Sequence, residues 1–396
     1  MPEKGALEHV KVLDIGTEVC GPYTAAIFGD MGAEVIKIEA PGVGDPSRQN
    51  TPKIGSESGT FINFNRSKKG VTLDIAKGKD IFLKMVKQAD VVIENYYPGY
   101  LEEIGLGYET LKEANPGIIL LSLTCYGQTG PYANRKKYND MIAQAMSGVM
   151  SVTGFPGDRP VRCGAPMSEM IAGLNGAMGV LAALTYRRKT GKGQWVDVAM
   201  ADSAAQTLAS VNQNYLTLGY SPQRQGNGYA ASAPGGGYRS KDGFIIFSTN
   251  GEKNWQLLCE IIGRTDLIAM PEFENNEARV KNRPKIDAII EEYMMTKTTD
   301  ALLEEMLPRG FACAPVLTIA EVINHEHISG ARQMFVDIDH PTAGKIKVTN
   351  QAIKMSATMP GPKSASPLLG QHNEEIFTGL GYSKSEIDAF QSQGIM

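Results

Sequence analysis

Apolar residues along this chain come in short runs that alternate with longer amphipathic stretches. "VKVLDIG" (10–16) is a β-rich run closed by turn residues. "TAAIFGDMGAEVIKIEAP" continues it as a helix, a glycine-containing turn and a second strand at 34–39. Strand, helix and strand within about 30 residues is the βαβ unit of a parallel sheet. The alternation goes on with a helix near 77–88, the strand "ADVVIENY", a helix near 108–114 and the strand "GIILLSLTCYG". Helices near 139–151 and 170–188 follow, then a strand and a helix in "GKGQWVDVAMADSAAQTLASV". This pattern predicts an α/β fold with helices on both faces of a parallel sheet.

From 219 to 243 the composition shifts to Gly, Ser, Ala and Pro, "GYSPQRQGNGYAASAPGGGYRSKDG", which reads as a linker or functional loop at a domain boundary. The strand "GFIIFST" and helices near 252–263 and 299–307 suffice for a smaller α+β domain. "KIKVTNQAIKMSA" and "SKSEIDAFQSQ" add strands and a last helix. The expected division is 1–218, 219–243, 244–325 and 326–396.

Composition narrows the function more than the fold. A chain of 396 residues with 42% hydrophobic and 21% charged residues has the profile of a globular protein of two or more domains. The net charge of −4 supplies no bulk field for nucleic acid or a membrane surface, so the expected partners are small molecules. "MPEKGALEHVKVLDIG" carries charges where a signal peptide needs an apolar core, and apolar runs such as "VLAAL" are short of a membrane span. The five cysteines show no CxxC spacing, which argues against a disulfide framework or zinc site and fits a reducing cytoplasm.

The candidate chemistry centres on "GAPMSEMIAGLNGAMGVLAAL" (164–184), where an apolar helix pattern opens at Met170 with Glu169 at its head. Acids are favoured at helix starts because exposed N–H groups and the helix dipole stabilise negative charge. The functional alternative is a partly desolvated carboxylate that attacks an acyl carbon. The first turn, "GTEVCGPYTA", lacks G-x-G-x-x-G, and no P-loop occurs, which disfavours nicotinamide and nucleoside triphosphate chemistry. Cys20 reads as a small packing residue, and His325 with His327 as a pair lacking a third metal ligand. The basic clusters "NRSKKGVTLD" and "RKKYND" are solvated faces or, alternatively, partners of a ligand with several phosphates.

Several long motifs, in order, resemble the family III CoA-transferases. They are "VLDIGTEVCGPYTAAIFGDMGAEVIKIEAPGVGDPSR", "VVIENYYPGYLEEIGLGYETLKEANPGIILLSLTCYGQTGPY", "YNDMIAQAMSGVMSVTG", "GAMGVLAALTYRRKTGKGQWVDVAMADS", "FACAPVLTIAEV" and "PLLGQHNEEIFTGLGYSKSEI". The resemblance implies transfer of coenzyme A between carboxylic acids, with acyl-CoA as substrate and no permanently bound cofactor or metal. It implies a Rossmann-like large domain built from both chain ends, a smaller domain from the middle, and an interlocked homodimer. The family's nucleophilic aspartate falls at Glu169, one methylene longer, so the reactive oxygens move by about 1.5 Å on an unchanged backbone.

The same resemblance places Asp140 beside the reacting group, as a residue that positions substrate or polarises a proton. It assigns Val19, Leu73, Lys77, Asn95, Tyr96 and Lys137 to coenzyme A. It makes Gly235, Gly236 and Gly237 a mobile lid over the carboxylate. Ala40 stands where many members carry a CoA-contacting arginine, with Arg48, Lys68 or Lys69 as the expected substitutes. Acyl-CoA racemases share the fold but need a histidine where this chain has Asn139, and no histidine lies between His9 and His325.

Overall fold

The structure, a computed structural model, describes residues 5–249 and 251–396. It forms two compact units. The larger takes the chain up to Val149, Arg162–Gln213 and Glu326–Met396, and the smaller takes Met150–Val161 and Asn214–His325. The stretch 150–161, expected with the large domain, therefore belongs to the small unit, which resumes at Asn214 rather than at 219 or 244.

Six strands build the large sheet: β1 (Lys11–Asp14), β2 (Glu34–Glu39), β3 (Lys69–Thr72), β4 (Val91–Glu94), β5 (Ile119–Thr124) and β6 (Trp195–Ala199). They run in the order β3-β2-β1-β4-β5-β6, all pairs parallel. This is the doubly wound Rossmann order. Strands buried on both faces read as unbroken apolar runs, which is why "VVIE" and "ILLSLT" show no alternation and are wholly buried. One face is covered by Phe82 and Met85 of α2 (Lys79–Val86) together with Phe377 and Ile387 near the C-terminus, so both ends of the chain share one core.

The other face carries α1 (Cys20–Asp30), α3 (Asp140–Met146) and α4 (Met167–Thr190). At 24 residues α4 is long and apolar enough to cross a membrane by length and composition, yet it is a core helix here, with Ala172, Val180 and Ala183 fully buried. A Cβ on its Gly176 would come within 2.9 Å of the Leu121 side chain, so glycine lets the helix sit close on β5. The helix starts at Met167, three residues before the apolar pattern, which puts Glu169 inside its first turn.

In the smaller unit, β7 (Gly235–Arg239), β8 (Phe244–Ser248) and β9 (Ala312–Pro315) form an antiparallel sheet in the order β9-β8-β7. Helices pack around Trp255, Leu258, Phe273 and Ile290. The glycine run expected in a linker is thus an edge strand. A Cβ on Gly236 would lie 2.8 Å from the backbone oxygen of Asn227, so the absence of side chains serves close packing of backbone on backbone.

Candidate active site

In a sheet of this order, ligands bind beyond the C-terminal ends of the strands where the winding reverses, here between β1 and β4. The two loops that leave these ends are tied directly together. The Thr17 N–H donates to Asn95 Oδ1 at 2.7 Å, and Asn95 Nδ2 returns a bond to the Thr17 carbonyl at 2.9 Å. A Cβ on Gly16 would meet Asn95 Oδ1 at 3.0 Å, so glycine is what allows this approach. Tyr96 is held through both of its backbone polar groups. Its N–H donates to Glu94 Oε2 at 2.8 Å, and its carbonyl accepts the Tyr138 hydroxyl at 2.9 Å.

These loops border a cavity of about 580 Å³ that also touches Val19, Lys137 and Glu169. Of the expected site residues, the structure brings together Glu169, Val19, Asn95, Tyr96 and Lys137. Lys137 is exposed and has no ion pair among the described residues, whereas its neighbour Lys136 is paired with Glu103 at 2.8 Å. Asp140 stands behind this wall. Its Oδ1 accepts the Ser168 N–H at 2.8 Å and the Glu169 N–H at 3.3 Å, and its Oδ2 accepts from Gln144 at 2.6 Å. The N-cap of α4 is Pro166, which offers no side-chain acceptor, so Asp140 supplies the cap from another helix. The carboxylate expected to polarise a proton or position substrate is committed to positioning the helix end that bears Glu169.

Glu169 differs from the sequence-based expectation in its charge. The helix dipole alone would hold it ionised. Burial, with the carboxylates of Asp140 and Glu18 adding to it, instead pushes its pKa up to about 7. Glu18 was not visible as a site residue in the sequence. It sits in the first turn with φ +63°, a strained conformation for a residue with a side chain, and accepts from Asn50 Nδ2 at 3.0 Å. Cys20 is a buried packing residue whose thiol donates to the Glu169 carbonyl at 3.3 Å and whose pKa burial drives up.

Other expected residues lie elsewhere. Leu73 points into the core under β3 and is 2% exposed, and Lys77 pairs with Asp74 at 3.5 Å. Neither touches the cavity. Gly235, Gly236 and Gly237 belong to β7 of the smaller unit, where they line a separate hollow with Tyr238 and Arg283. The cations expected to replace the missing arginine are all engaged. Arg48 grips Glu39 with two bonds of 2.7 Å, Lys69 pairs with Glu375 at 2.6 Å, and Lys68 bonds Asp14 at 2.8 Å with its side chain fully buried.

Lys68 is part of a buried charge network beneath the first turn. Lys37 pairs with Asp45 at 2.8 Å and donates to the Gly16 carbonyl, while Asp45 Oδ1 accepts the Glu18 N–H at 3.1 Å. Lys37 and its bonded neighbours hold the Asp45 carboxyl down at about 2 against the cost of burial, and burial lowers Lys68 to about 8. In the basic cluster "NRSKKGVTLD", Arg66 and Lys68 are therefore buried structural cations, while Lys69 lies at the surface in its pair with Glu375. The detectable signal was the pair of charges, Lys37 and Glu39, that follows the apolar start "VI" in a strand buried from Val35 to its end. Among the described residues no group of three His, Cys, Asp or Glu side chains is gathered as metal ligands.

Comparison with known proteins bears on this geometry. A family model described as CoA-transferase family III matches residues 7–373. Succinyl-CoA:mesaconate CoA-transferase of Haloarcula hispanica is 35% identical over 97% of this chain and 99% of its own. Succinyl-CoA:glutarate CoA-transferase of Homo sapiens is 34% identical over 98% of this chain and 90% of its own. The crystal structure of a CAIB/BAIF family protein from Brucella suis superposes with a TM-score of 0.88 at 33% identity, covering 96% of this chain and all of that one.

Proposed function

The chain belongs to CoA-transferase family III, and on that premise we propose that it moves coenzyme A from succinyl-CoA to a dicarboxylic acid through a covalent adduct on Glu169. The observation that carries the mechanism is the half-buried Glu169 carboxyl at the cavity wall beside two further acids, where desolvation raises its pKa to about 7. At neutral pH about half of such a group is ionised, and it is a better nucleophile than an ordinary carboxylate that is always charged. The relatives support this choice of substrate pair, since both are named for succinyl-CoA and a dicarboxylate.

The ionised Glu169 attacks the thioester carbonyl, the carbon–sulfur bond breaks, and a mixed anhydride and CoA thiolate result. The thiolate then attacks the Glu169 carbonyl of that anhydride, releasing succinate and leaving coenzyme A as a thioester on the side chain. The acceptor carboxylate attacks this thioester and displaces the thiolate, which finally attacks the acyl carbonyl of the new anhydride. A new acyl-CoA leaves and the carboxylate is restored. No redox or metal step is called for. Lys137 would meet the phosphates, and the Asn95–Tyr96 wall and the turn at Val19 would line the coenzyme A arm. The reading also includes a homodimer as the working form.

Incubation with succinyl-CoA alone, followed by intact mass measurement and borohydride reduction, tests the adduct. We expect a coenzyme A mass increment that peptide mapping places on Glu169. Glu169→Gln should form no adduct and lose transfer by at least about a thousandfold. Undiminished transfer by that variant would end the proposal.

A further inference from the structure

Glu18 is a carboxylate that the route above does not use. It borders the same cavity as Glu169, and the two lie close enough for its charge to act on the nucleophile. Its backbone is fixed in the left-handed region at φ +63°, and its N–H donates to Asp45 Oδ1 at 3.1 Å. Its Oε2 takes the bond from Asn50 Nδ2, and its Oε1 carries no hydrogen bond among the described residues. A side chain tied in this way holds one oxygen ready for a ligand. The other side-chain oxygens of the wall are placed differently. Asn95 Oδ1 accepts the Thr17 N–H and Asn139 Oδ1 the Ile142 N–H, while Tyr97 and Tyr138 donate their hydroxyls to Glu103 and to the Tyr96 carbonyl. That leaves Glu169, which reacts, the Thr17 hydroxyl, which both donates and accepts, and Glu18. Of these, Glu18 is the unreactive group that only accepts.

We propose that Glu18 is a specificity-determining residue whose free oxygen accepts a hydroxyl hydrogen from the carbon next to the reacting carboxyl of the acceptor acid, so that the preferred dicarboxylic acceptors carry a 2-hydroxyl. This rests on the reading that Glu169 hands coenzyme A to an acceptor acid. To receive it, the acceptor carboxylate must come within about 3–3.5 Å of the Glu169 thioester carbon. A substituent on the next carbon is then carried against the wall beside Glu169, where Glu18 stands. A hydroxyl there donates to Glu18 and replaces the water that solvates it. An acid with hydrogen at that position displaces the water and returns no bond, so the cost falls on the analogue that lacks the hydroxyl. A bond from a hydroxyl to a carboxylate is charge-assisted, which sets the expected discrimination at about tenfold or more in kcat/KM.

The experiment measures kcat/KM for transfer from succinyl-CoA to glutarate and to each enantiomer of 2-hydroxyglutarate, for wild type, Glu18→Gln and Glu18→Gly. Glycine suits the positive φ and removes the carboxylate, whereas glutamine keeps a neutral acceptor. The readout is the ratio of hydroxy acid to glutarate at one pH, which cancels any effect of Glu18 on Glu169 that both acids share. For one enantiomer the wild-type ratio should exceed that of Glu18→Gly by about tenfold or more, with Glu18→Gln between them. Equal ratios in wild type and Glu18→Gly overturn the proposal. A raised KM for succinyl-CoA with an unchanged ratio overturns it too, and assigns Glu18 to the coenzyme A arm. If neither acid receives coenzyme A, the reading of transfer to a dicarboxylate fails, and calorimetric titration of the coenzyme A-saturated protein with the same acids decides. Tighter binding of a hydroxy acid that Glu18→Gly abolishes then supports the acceptor role of Glu18, and equal binding overturns it. Should Glu18→Gly fail to fold, a wild type that favours neither enantiomer over glutarate, or that shares its ratio with Glu18→Gln, is the overturning result.

Discussion

Desolvation, two neighbouring charges and one extra methylene set the behaviour of Glu169. The longer side chain reaches about 1.5 Å further than aspartate from the same backbone. A cavity shaped around that reach should not serve the shorter acid well. We expect Glu169→Asp to form the coenzyme A adduct but turn over on the order of a hundredfold more slowly, read by steady-state kcat alongside intact mass. The ionised form is the nucleophile, so kcat/KM should rise with pH through about 7. Glu18 is one of the two acids that raise this value, and Glu18→Gln removes its charge while keeping an acceptor for Asn50. Its rising limb should therefore lie at lower pH than in wild type. A limb that stays in place would show that burial and Asp140 account for the whole shift.

The elements around the site were legible in the sequence to the degree that their periodicity was undisturbed. The strands at 34–39 and 119–124 and the helix at 108–114 stand where their apolar spacing put them. Strand β3 did not show, because "KGVT" follows Arg66, Ser67 and Lys68, and a run of cations looks solvated until Asp14 and Asp30 are found opposite it. β7 was hidden in the same way, since three glycines resemble a loop unless the packing against Asn227 is known. The family resemblance pointed to Asp140, but its bonds to a helix 28 residues away could not be read from one helix alone. Those bonds carry a prediction at this scale. Asp140→Ala leaves the first turn of α4 without its cap and Gln144 without its partner, which together should cost about 2–3 kcal/mol in urea unfolding. The same variant should lower kcat through misplacement of Glu169 and change coenzyme A affinity little, because Asp140 lies behind the cavity wall.

The whole chain leaves apolar surface that its own fold does not cover. Leu174 and Met178, one turn apart on α4, are 45% and 60% exposed, and the helix Ala209–Leu218 buries no side chain at all. A helix without a buried face draws its stability from another surface, and a second copy of this chain is the partner the proposed function calls for. Sedimentation should show a species of twice the 42.8 kDa chain mass, and a single 42.8 kDa species would refute the dimer. Stability should also carry the imprint of the buried acids. Glu169 and Glu94 have folded pKa values raised to about 7 and about 8, above the 4.5 of an unfolded glutamate. Such groups stabilise the fold fully below the unfolded value, and that contribution drains away as pH rises through the folded value. Asp45 acts in the opposite sense, stabilising above 3.8 and losing its contribution only as pH falls toward 2. Between pH 5.5 and 7.5 the two glutamates, with the larger shifts, outweigh His340 and His372, whose pKa values desolvation lowers and which gain stability as pH rises, so at fixed protein concentration the urea midpoint should fall across that interval. The double variant Glu94→Gln and Glu169→Gln should show a flatter profile. A double variant whose profile matches that of wild type from pH 5.5 to 7.5 would mean that neither glutamate is held neutral by the fold, and would remove the physical basis of the nucleophile.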